Sequence, residues 1–314
     1  MADMTDPLLA RRREAERMER WLLAQDGVLS AKVLEVLRLK PQSAVFLVRI
    51  NEEKVVVKVF REDGAAARIG EMKAELDHLA DVFGDGPSQA NRFLGGWPEA
   101  GVAVLSHAPG VRLSEKLAAT TGAARLRLMA QAGAWLRDYT ASRQRVSTFG
   151  PRFWMRQMME RPPGPGTGPD DRARLAGLIG SVRAQLGRVQ GEPVLQAATH
   201  GDYVSINAHY HRGVITGVDI QGECWMAVAR DAARFLVFEQ VHSSTRPEAR
   251  WLGLDHAQAE AFLSCGVLPD VEKATTLPIF VAEQLHGRLI DVQGRHVLVE
   301  NARAAIDAFL EDPR

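Results

Sequence analysis

The sequence is poor in cysteine, and no part of it is long and apolar enough to cross a membrane. Its two cysteines, Cys224 and Cys265, are too few for a disulfide framework and are not spaced as zinc ligands. No run approaches the roughly 20 apolar residues that a bilayer requires. Residues 1–21 alternate acids and bases instead of forming a secretory signal. We therefore expect free thiols and a cytoplasmic protein.

The sequence also lacks net charge. Its 39 Lys and Arg residues equal its 39 Asp and Glu residues, so no long-range field attracts phosphate backbones or anionic lipid. Nucleic acid and membrane surfaces are therefore disfavoured as partners. With 314 residues, 46% of them hydrophobic, the chain has the profile of a folded protein of two domains, or of one large two-lobed unit.

The first third of the chain predicts a small sheet. Residues 33–40, 45–50 and 54–60 are short runs rich in β-branched residues, separated by tight turns, which indicates an antiparallel meander. An amphipathic helix over residues 8–25 precedes them, and a helix over residues 65–83 follows.

A further strand is expected over residues 102–105, and most of the later chain has helical periodicity, interrupted by a hairpin within residues 208–219. We therefore predict an α+β architecture. Residues 1–106 form a β-rich N-terminal lobe, and residues 107–314 form a mainly helical C-terminal lobe.

The segment from Thr199 to Gln221 carries the clearest chemistry. Asp202 follows His200 by two residues, Asn207 comes five residues later, and Asp219 closes the strand after a hairpin turn. Phosphoryl transfer needs one carboxylate to accept the proton of the attacking hydroxyl, and carboxylate and amide oxygens to hold a divalent cation. Asp202, Asn207 and Asp219 supply these groups, although Asp219 is also compatible with a simple turn.

The His200-Gly201-Asp202 motif, with Asn207 and Asp219 in this order, resembles the aminoglycoside phosphotransferase and choline kinase-like family, small-molecule relatives of the protein kinases. The resemblance implies a protein-kinase-like bilobal fold that uses ATP and Mg²⁺. It implies that Asp202 is the catalytic base, that His200 organises its loop, and that Asn207 and Asp219 bind magnesium. It further implies that Asp231 braces the catalytic loop.

Lys58 lies within the strand run of residues 55–59, where a charge ordinarily marks a solvated strand face. In the family that the sequence resembles, the lysine that matches Lys58 contacts the α- and β-phosphates and is held by a glutamate of the next helix. Glu71 and Glu75 are both candidates. Glu75 lies closer to the apolar stripe of that helix, since successive residues are about 100° apart, and is the preferred choice.

For the adenine, the same resemblance places the hinge between the lobes after the strand at residues 102–105. Ser106 would offer a carbonyl, Ala108 an amide, and Leu105 an apolar contact. An ordinary strand end followed by a Pro-Gly turn explains this segment nearly as well.

Two absences narrow the function. The first hairpin, residues 40–44, contains no glycine, so a glycine-rich phosphate loop of the protein-kinase type is missing, and no Walker motif occurs anywhere. We expect an ATP-dependent kinase that phosphorylates a hydroxyl of a small molecule. The alternative is a catalytically silent ATP-binding module that regulates a partner. The sequence assigns neither the acceptor nor the oligomeric state.

Overall fold

A computed structural model describes residues 6–164, 166–245 and 247–312. Within this range the chain forms two compact units, each assembled from separate segments. Unit 1 contains residues 6–84, 90–109 and 216–223, and unit 2 contains residues 85–89, 110–215 and 224–312. Residues 216–223 therefore belong to the same unit as a sheet whose strands come much earlier in the sequence. The Pro- and Gly-rich run of residues 162–169 predicts a surface loop, and one of its residues, Pro165, lies outside the described residues.

The described residues contain both helices and strands. The helices are α1 (Pro7–Leu23), α2 (Ala65–Phe83), α3 (Leu113–Ala118), α4 (Gly122–Thr140), α5 (Pro151–Glu160), α6 (Pro169–Val189), α7 (Val228–His242), α8 (His256–Leu263), α9 (Asp270–Ala274), α10 (Thr276–Asp291) and α11 (His296–Glu311). The strands are β1 (Ala31–Leu39), β2 (Ser43–Ile50), β3 (Glu53–Phe60), β4 (Ser88–Ala90), β5 (Phe93–Trp97), β6 (Val102–Ser106), β7 (Val111–Arg112), β8 (Gln144–Thr148), β9 (Pro193–Thr199), β10 (Ala208–His211), β11 (Val214–Gly217), β12 (Cys224–Ala227), β13 (Arg250–Trp251) and β14 (Leu254–Asp255).

Unit 1 is built on a five-stranded sheet in the order β1-β2-β3-β6-β5. All its pairs are antiparallel, and the predicted meander of β1, β2 and β3 is present. Strand β3 is central and pairs Lys58 with Val45 on one side and Ala103 on the other. Strand β5 was not predicted, because Gly95 and Gly96 interrupt its apolar pattern.

The two helices of unit 1 bury apolar stripes. Helix α1 packs Met18 and Leu22 into a cluster with sheet residues that include Phe46 and Val57, so the leading helix is held by hydrophobic contact. Helix α2 has the bounds predicted from the sequence. It buries an apolar stripe that contains Ile69, Met72, Leu76, Leu79 and Phe83.

Unit 2 is mainly helical and carries a short sheet in the order β12-β9-β8. Its core includes a run of stacked rings, in which Tyr203 lies 4.8 Å from Trp135 and 4.9 Å from Phe235 between ring centres. In the part of the chain that the structure describes, no helix combines the length and hydropathy needed to span a membrane.

Candidate active site

The loop that carries the His-Gly-Asp motif begins directly after β9. Strand β9 is the middle strand of its sheet, so its end is fixed on both sides. Tyr203, which follows Asp202, is fully buried, and its hydroxyl donates to the Ala132 carbonyl at 2.9 Å. The aromatic stack of unit 2 therefore anchors the loop one residue away from Asp202. Sequence reasoning missed Tyr203 as a positioning residue, although a buried tyrosine needs such a partner.

Asp202 itself projects outward, with 55% of its side chain exposed. The Asn207 amide nitrogen donates to the Asp202 carbonyl at 3.0 Å and lies 3.4 Å from Asp202 Oδ2. Because the amide nitrogen is used in this way, the Asn207 Oδ1 oxygen is the atom of that side chain suited to a cation. Arg234 of α7 forms an ion pair with Asp202 Oδ1 at 2.7 Å. Sequence reasoning did not identify Arg234.

Asp231 braces the same loop from below. It is completely buried at the start of α7, and its Oδ2 accepts the Gly201 amide hydrogen at 2.9 Å. Gly201 has a φ of +75°, a left-handed conformation that glycine adopts without steric cost. Asp231 therefore holds the loop at Gly201.

Burial raises the pKa of Asp231, while charge on His200 and the Gly201 hydrogen bond oppose the rise. His200 is nearly buried, and its ring lies 6.1 Å from both the Trp135 and the Tyr203 rings. Its Nδ1 accepts the Asp202 amide hydrogen at 3.3 Å. His200 is therefore placed to hold the backbone of the loop.

Lys58 and Asp219 form the second cluster, which lies in unit 1. Lys58 is only 5% exposed, so it does not occupy a solvated strand face, and its Nζ lies 2.5 Å from Asp219 Oδ1. Arg38 of β1 approaches Asp219 Oδ2 at 3.4 Å. Asp219 has a φ of +63°, which is uncommon for a residue other than glycine. Its carboxylate is directed to two cations of the sheet.

The segment after Asp219 is fastened to α2. Arg68 donates to the side-chain oxygen of Gln221, and the Gln221 amide approaches Asp219 Oδ1 at 3.5 Å. On the same helix Glu75 is 2% exposed, whereas Glu71 is exposed. Of the two candidate glutamates, only Glu75 therefore lies in the buried part of the unit that also holds Lys58.

The predicted hinge residues follow the central part of the sheet in unit 1. Leu105 is buried and paired with Val56. The Ser106 amide donates to the Arg92 carbonyl, and its hydroxyl accepts the Arg92 amide hydrogen, both at 2.8 Å. Ala108 lies two residues beyond the end of β6 and is buried. Among the described residues, no hydrogen bond involves the Ala108 amide.

The structure thus brings the predicted residues together in two sets. Lys58, Asp219 and Glu75 belong to unit 1, whereas His200, Asp202 and Asn207 belong to unit 2. No cluster of three or more His, Cys, Asp or Glu side chains suited to a metal occurs within the described ranges. A carboxylate from Asp219 and an amide oxygen from Asn207 are the hard oxygen donors that Mg²⁺ prefers, so their chemistry fits the predicted cation.

Comparison with known proteins extends the resemblance to the whole fold. The sequence matches no protein-family model and no curated protein. Three similar solved structures are a choline/ethanolamine kinase family protein from Mesorhizobium loti, the amicoumacin kinase hAmiN and the aminoglycoside 2′-phosphotransferase-IIIa.

The similarity spans nearly the full length of each protein. The choline/ethanolamine kinase family protein has a TM-score of 0.60 at 17% identity and covers 95% of both chains. The amicoumacin kinase has a TM-score of 0.57 at 16% identity, with 97% of this chain and 96% of that chain covered. The aminoglycoside phosphotransferase has a TM-score of 0.62 at 10% identity, with 96% and 98% covered. The predicted kinase-like α+β fold is therefore confirmed.

Proposed function

We propose that the protein is a small-molecule kinase that transfers the γ-phosphoryl group of ATP to a hydroxyl group. The observation that carries the proposal is the Lys58–Asp219 pair, in which a nearly buried strand lysine meets a carboxylate 161 residues later in the chain. Burial of a cation is costly in free energy unless the cation is paired with an anion. In a kinase-like fold, this pair supplies a phosphate contact and a metal ligand.

The role of the second cluster follows from its exposure. Asp202 is the outward-facing carboxylate of a loop that is held by Tyr203, His200 and Asp231. The acceptor oxygen attacks the γ-phosphorus, the bond from that phosphorus to the bridging oxygen of ADP breaks, and Asp202 takes the hydroxyl proton. Because Asp202 is already held in place, less entropy is lost when the reacting groups are brought together.

The cation and nucleotide are assigned on the same basis. Asn207 and Asp219 would hold Mg²⁺, which neutralises charge on the β- and γ-phosphates when bound. Lys58 contacts the phosphates and Glu75 orients Lys58. Leu105, Ser106 and Ala108 receive the adenine. Similar structures support the binding of a nucleotide: the amicoumacin kinase is in complex with AMP-PNP, Ca²⁺ and Ami, and the aminoglycoside 2′-phosphotransferase-IIIa is a GDP complex.

We further propose that the nucleotide binds to the lobe of residues 1–106 and that the acceptor is a small molecule bound by the lobe of residues 107–314. Nucleic acid and membranes have no role in this proposal, because the chain has no net charge.

Asp202→Asn tests the proposal and separates it from a silent ATP-binding module. We expect kcat to fall by about 10²- to 10⁴-fold because the general base is lost, while ATP affinity measured by calorimetry stays unchanged. Asp81→Asn, an exposed position on α2, is the matched control and should keep full activity. Wild-type protein that binds ATP but phosphorylates no hydroxyl compound in a broad panel would favour the silent module.

A further inference from the structure

Arg288 of α10 is a cation that makes no direct ion pair within the described residues. It is half-buried, and its guanidinium carbon lies 5.0 Å from the centre of the Phe238 ring. Within residues 6–164, 166–245 and 247–312, no carboxylate pairs with it and no hydrogen bond involves its side chain. Asp291, on the next turn of α10, pairs instead with Arg161. An unpaired, partly desolvated charge is unfavourable, which indicates a place for an anion.

The Phe238 ring that Arg288 covers lies one helical turn along α7 from Arg234, the ion-pair partner of Asp202. Burial lowers the pKa of Arg288; attraction to Asp291 and Asp202 opposes this shift, and repulsion from Arg234 and Arg161 adds to it. Arg234 already neutralises Asp202 at 2.7 Å. Arg288 is therefore an additional positive charge beside the proposed catalytic base.

An open pocket of about 580 Å³ is lined by Gly287, the chain neighbour of Arg288. It is lined in part by Arg161, Arg230, Glu283 and His286. Arg230 and Arg234 are four residues apart on α7 and hence share one helix face, so the pocket and Asp202 are neighbours along that face. Glu283 pairs with Arg230 at 3.0 Å, as Asp291 pairs with Arg161 and Asp202 with Arg234. With Arg288, four arginines therefore face three carboxylates, an excess of one positive charge.

We propose that the acceptor is an anionic hydroxyl compound whose phosphate or carboxylate group is bound by Arg288 beside Asp202. The proposal deepens the proposed function and rests on it. Arginine binds planar carboxylates and phosphates through paired hydrogen bonds. A cationic acceptor such as an amino sugar or choline would meet repulsion from Arg288 and Arg161. The two carboxylates that line the pocket, Glu160 and Glu283, are paired with Arg156 and Arg230.

Binding is tested by calorimetry with four compounds that share one hydroxyl scaffold and differ in charge: glucose 6-phosphate, gluconate, glucose and glucosamine. We expect one or both anions to bind, and glucose and glucosamine to bind at least about tenfold more weakly, because a charged hydrogen bond is lost. Arg288→Gln should weaken binding of the anion by about tenfold or more. Arg288→Lys should restore part of the affinity, and Arg183→Gln, at an exposed position of α6, should leave it unchanged.

The proposal is overturned if neither anion binds, if glucosamine or glucose binds as tightly as the anions, or if Arg288→Gln leaves anion affinity unchanged in a protein with a wild-type circular dichroism spectrum. Failure of the proposed function gives a different result. In that case the anions still bind through Arg288, but no phosphate is transferred from ATP to any compound. Phosphorylation of cationic compounds alone would support the kinase and refute the anionic acceptor.

Discussion

Lys58 Nζ lies 2.5 Å from Asp219 Oδ1. Asp219 belongs to residues 216–223, a segment of unit 1 that follows residues 110–215 of unit 2 in the sequence. The lysine is buried in the central strand, whereas 23% of the Asp219 side chain is exposed. The pair therefore presents a partly accessible carboxylate above a fixed cation. The exposed oxygen is available to the Mg²⁺ that we propose at Asp219.

Replacing Lys58 with methionine should abolish most of the activity without unfolding the protein. Asp219 stays partly exposed and keeps Arg38 at 3.4 Å, so the change leaves no buried carboxylate unpaired. We expect kcat/KM for ATP to fall by about 10²- to 10³-fold, as for other groups that stabilise developing charge. Steady-state kinetics checks the effect, and Lys54→Met, at an exposed position of the same strand, should have wild-type kinetics. Equal activity of the two variants would remove Lys58 from the phosphate site.

The choice between two glutamates on α2 is tested by a matched pair of substitutions. Glu75 is buried and Glu71 is exposed, so we expect Glu75→Gln to lower kcat/KM by about tenfold or more through misplacement of Lys58. Glu71→Gln should change kcat/KM less than twofold, because substitutions at exposed positions usually have small effects. The reverse order would assign Glu71 to Lys58. Thermal melting of both variants controls for loss of fold.

The sequence predicted the elements with strong local signals. The β-branched run around Lys58 and the apolar stripe of α2 lie where expected, with α2 matching at both ends. Strands β8 and β12 were missed, because each is short and gains its stability from pairing with β9 rather than from its own residues. Such pairing is a tertiary property that a linear pattern does not record.

Within the candidate site, the motif located the loop but not its cationic neighbours. His200 and Asn207 both contact Asp202 through local hydrogen bonds. Residues so close in sequence can be predicted to lie together from their spacing alone. Arg234 and Arg38 reach their carboxylates from other elements. An arginine on a helix or strand has the same local pattern whether it is solvated or paired, so only the fold distinguishes the two.

His286 should make the stability of the protein sensitive to mild acid. It is 3% exposed on α10, and burial, with a smaller effect of Arg161, lowers its pKa to about 4 from its usual value of 6.5. Between these values the unfolded chain binds a proton that the folded protein does not, so the free energy of unfolding falls as the pH is lowered. From pH 7 to pH 5 we expect His286 to contribute a loss of about 2 kcal/mol.

Urea unfolding of wild-type protein and His286→Gln at both pH values measures this contribution. The variant lacks the titrating ring, so its loss of stability from pH 7 to pH 5 should be smaller by about 2 kcal/mol. The other titratable groups are common to both proteins and cancel in the comparison. Equal losses in the two proteins would show that the ring of His286 titrates alike in the folded and unfolded states.

Gly133 should tolerate no side chain, because helices α4 and α8 approach each other closely there. A Cβ added at Gly133 would meet the Phe262 carbonyl oxygen and would lie 3.0 Å from Cys265 Sγ. The carbonyl is backbone and cannot rotate away, so the helices must separate. We expect Gly133→Ala to destabilise the protein by about 1–3 kcal/mol, the usual cost of overpacking.

Gly180→Ala is the matched control, since an added Cβ has no neighbour within 4 Å at this exposed position of α6. Alanine is the better helix former by about 1 kcal/mol, so this variant should unfold at a higher urea concentration than wild type. Ala132, which accepts the Tyr203 hydroxyl bond, adjoins Gly133. Separation of the helices should therefore also disturb the loop of Asp202 and lower kcat in Gly133→Ala, whereas Gly180→Ala keeps it. A Gly133→Ala protein as stable and active as wild type would show that the contact between α4 and α8 yields without cost.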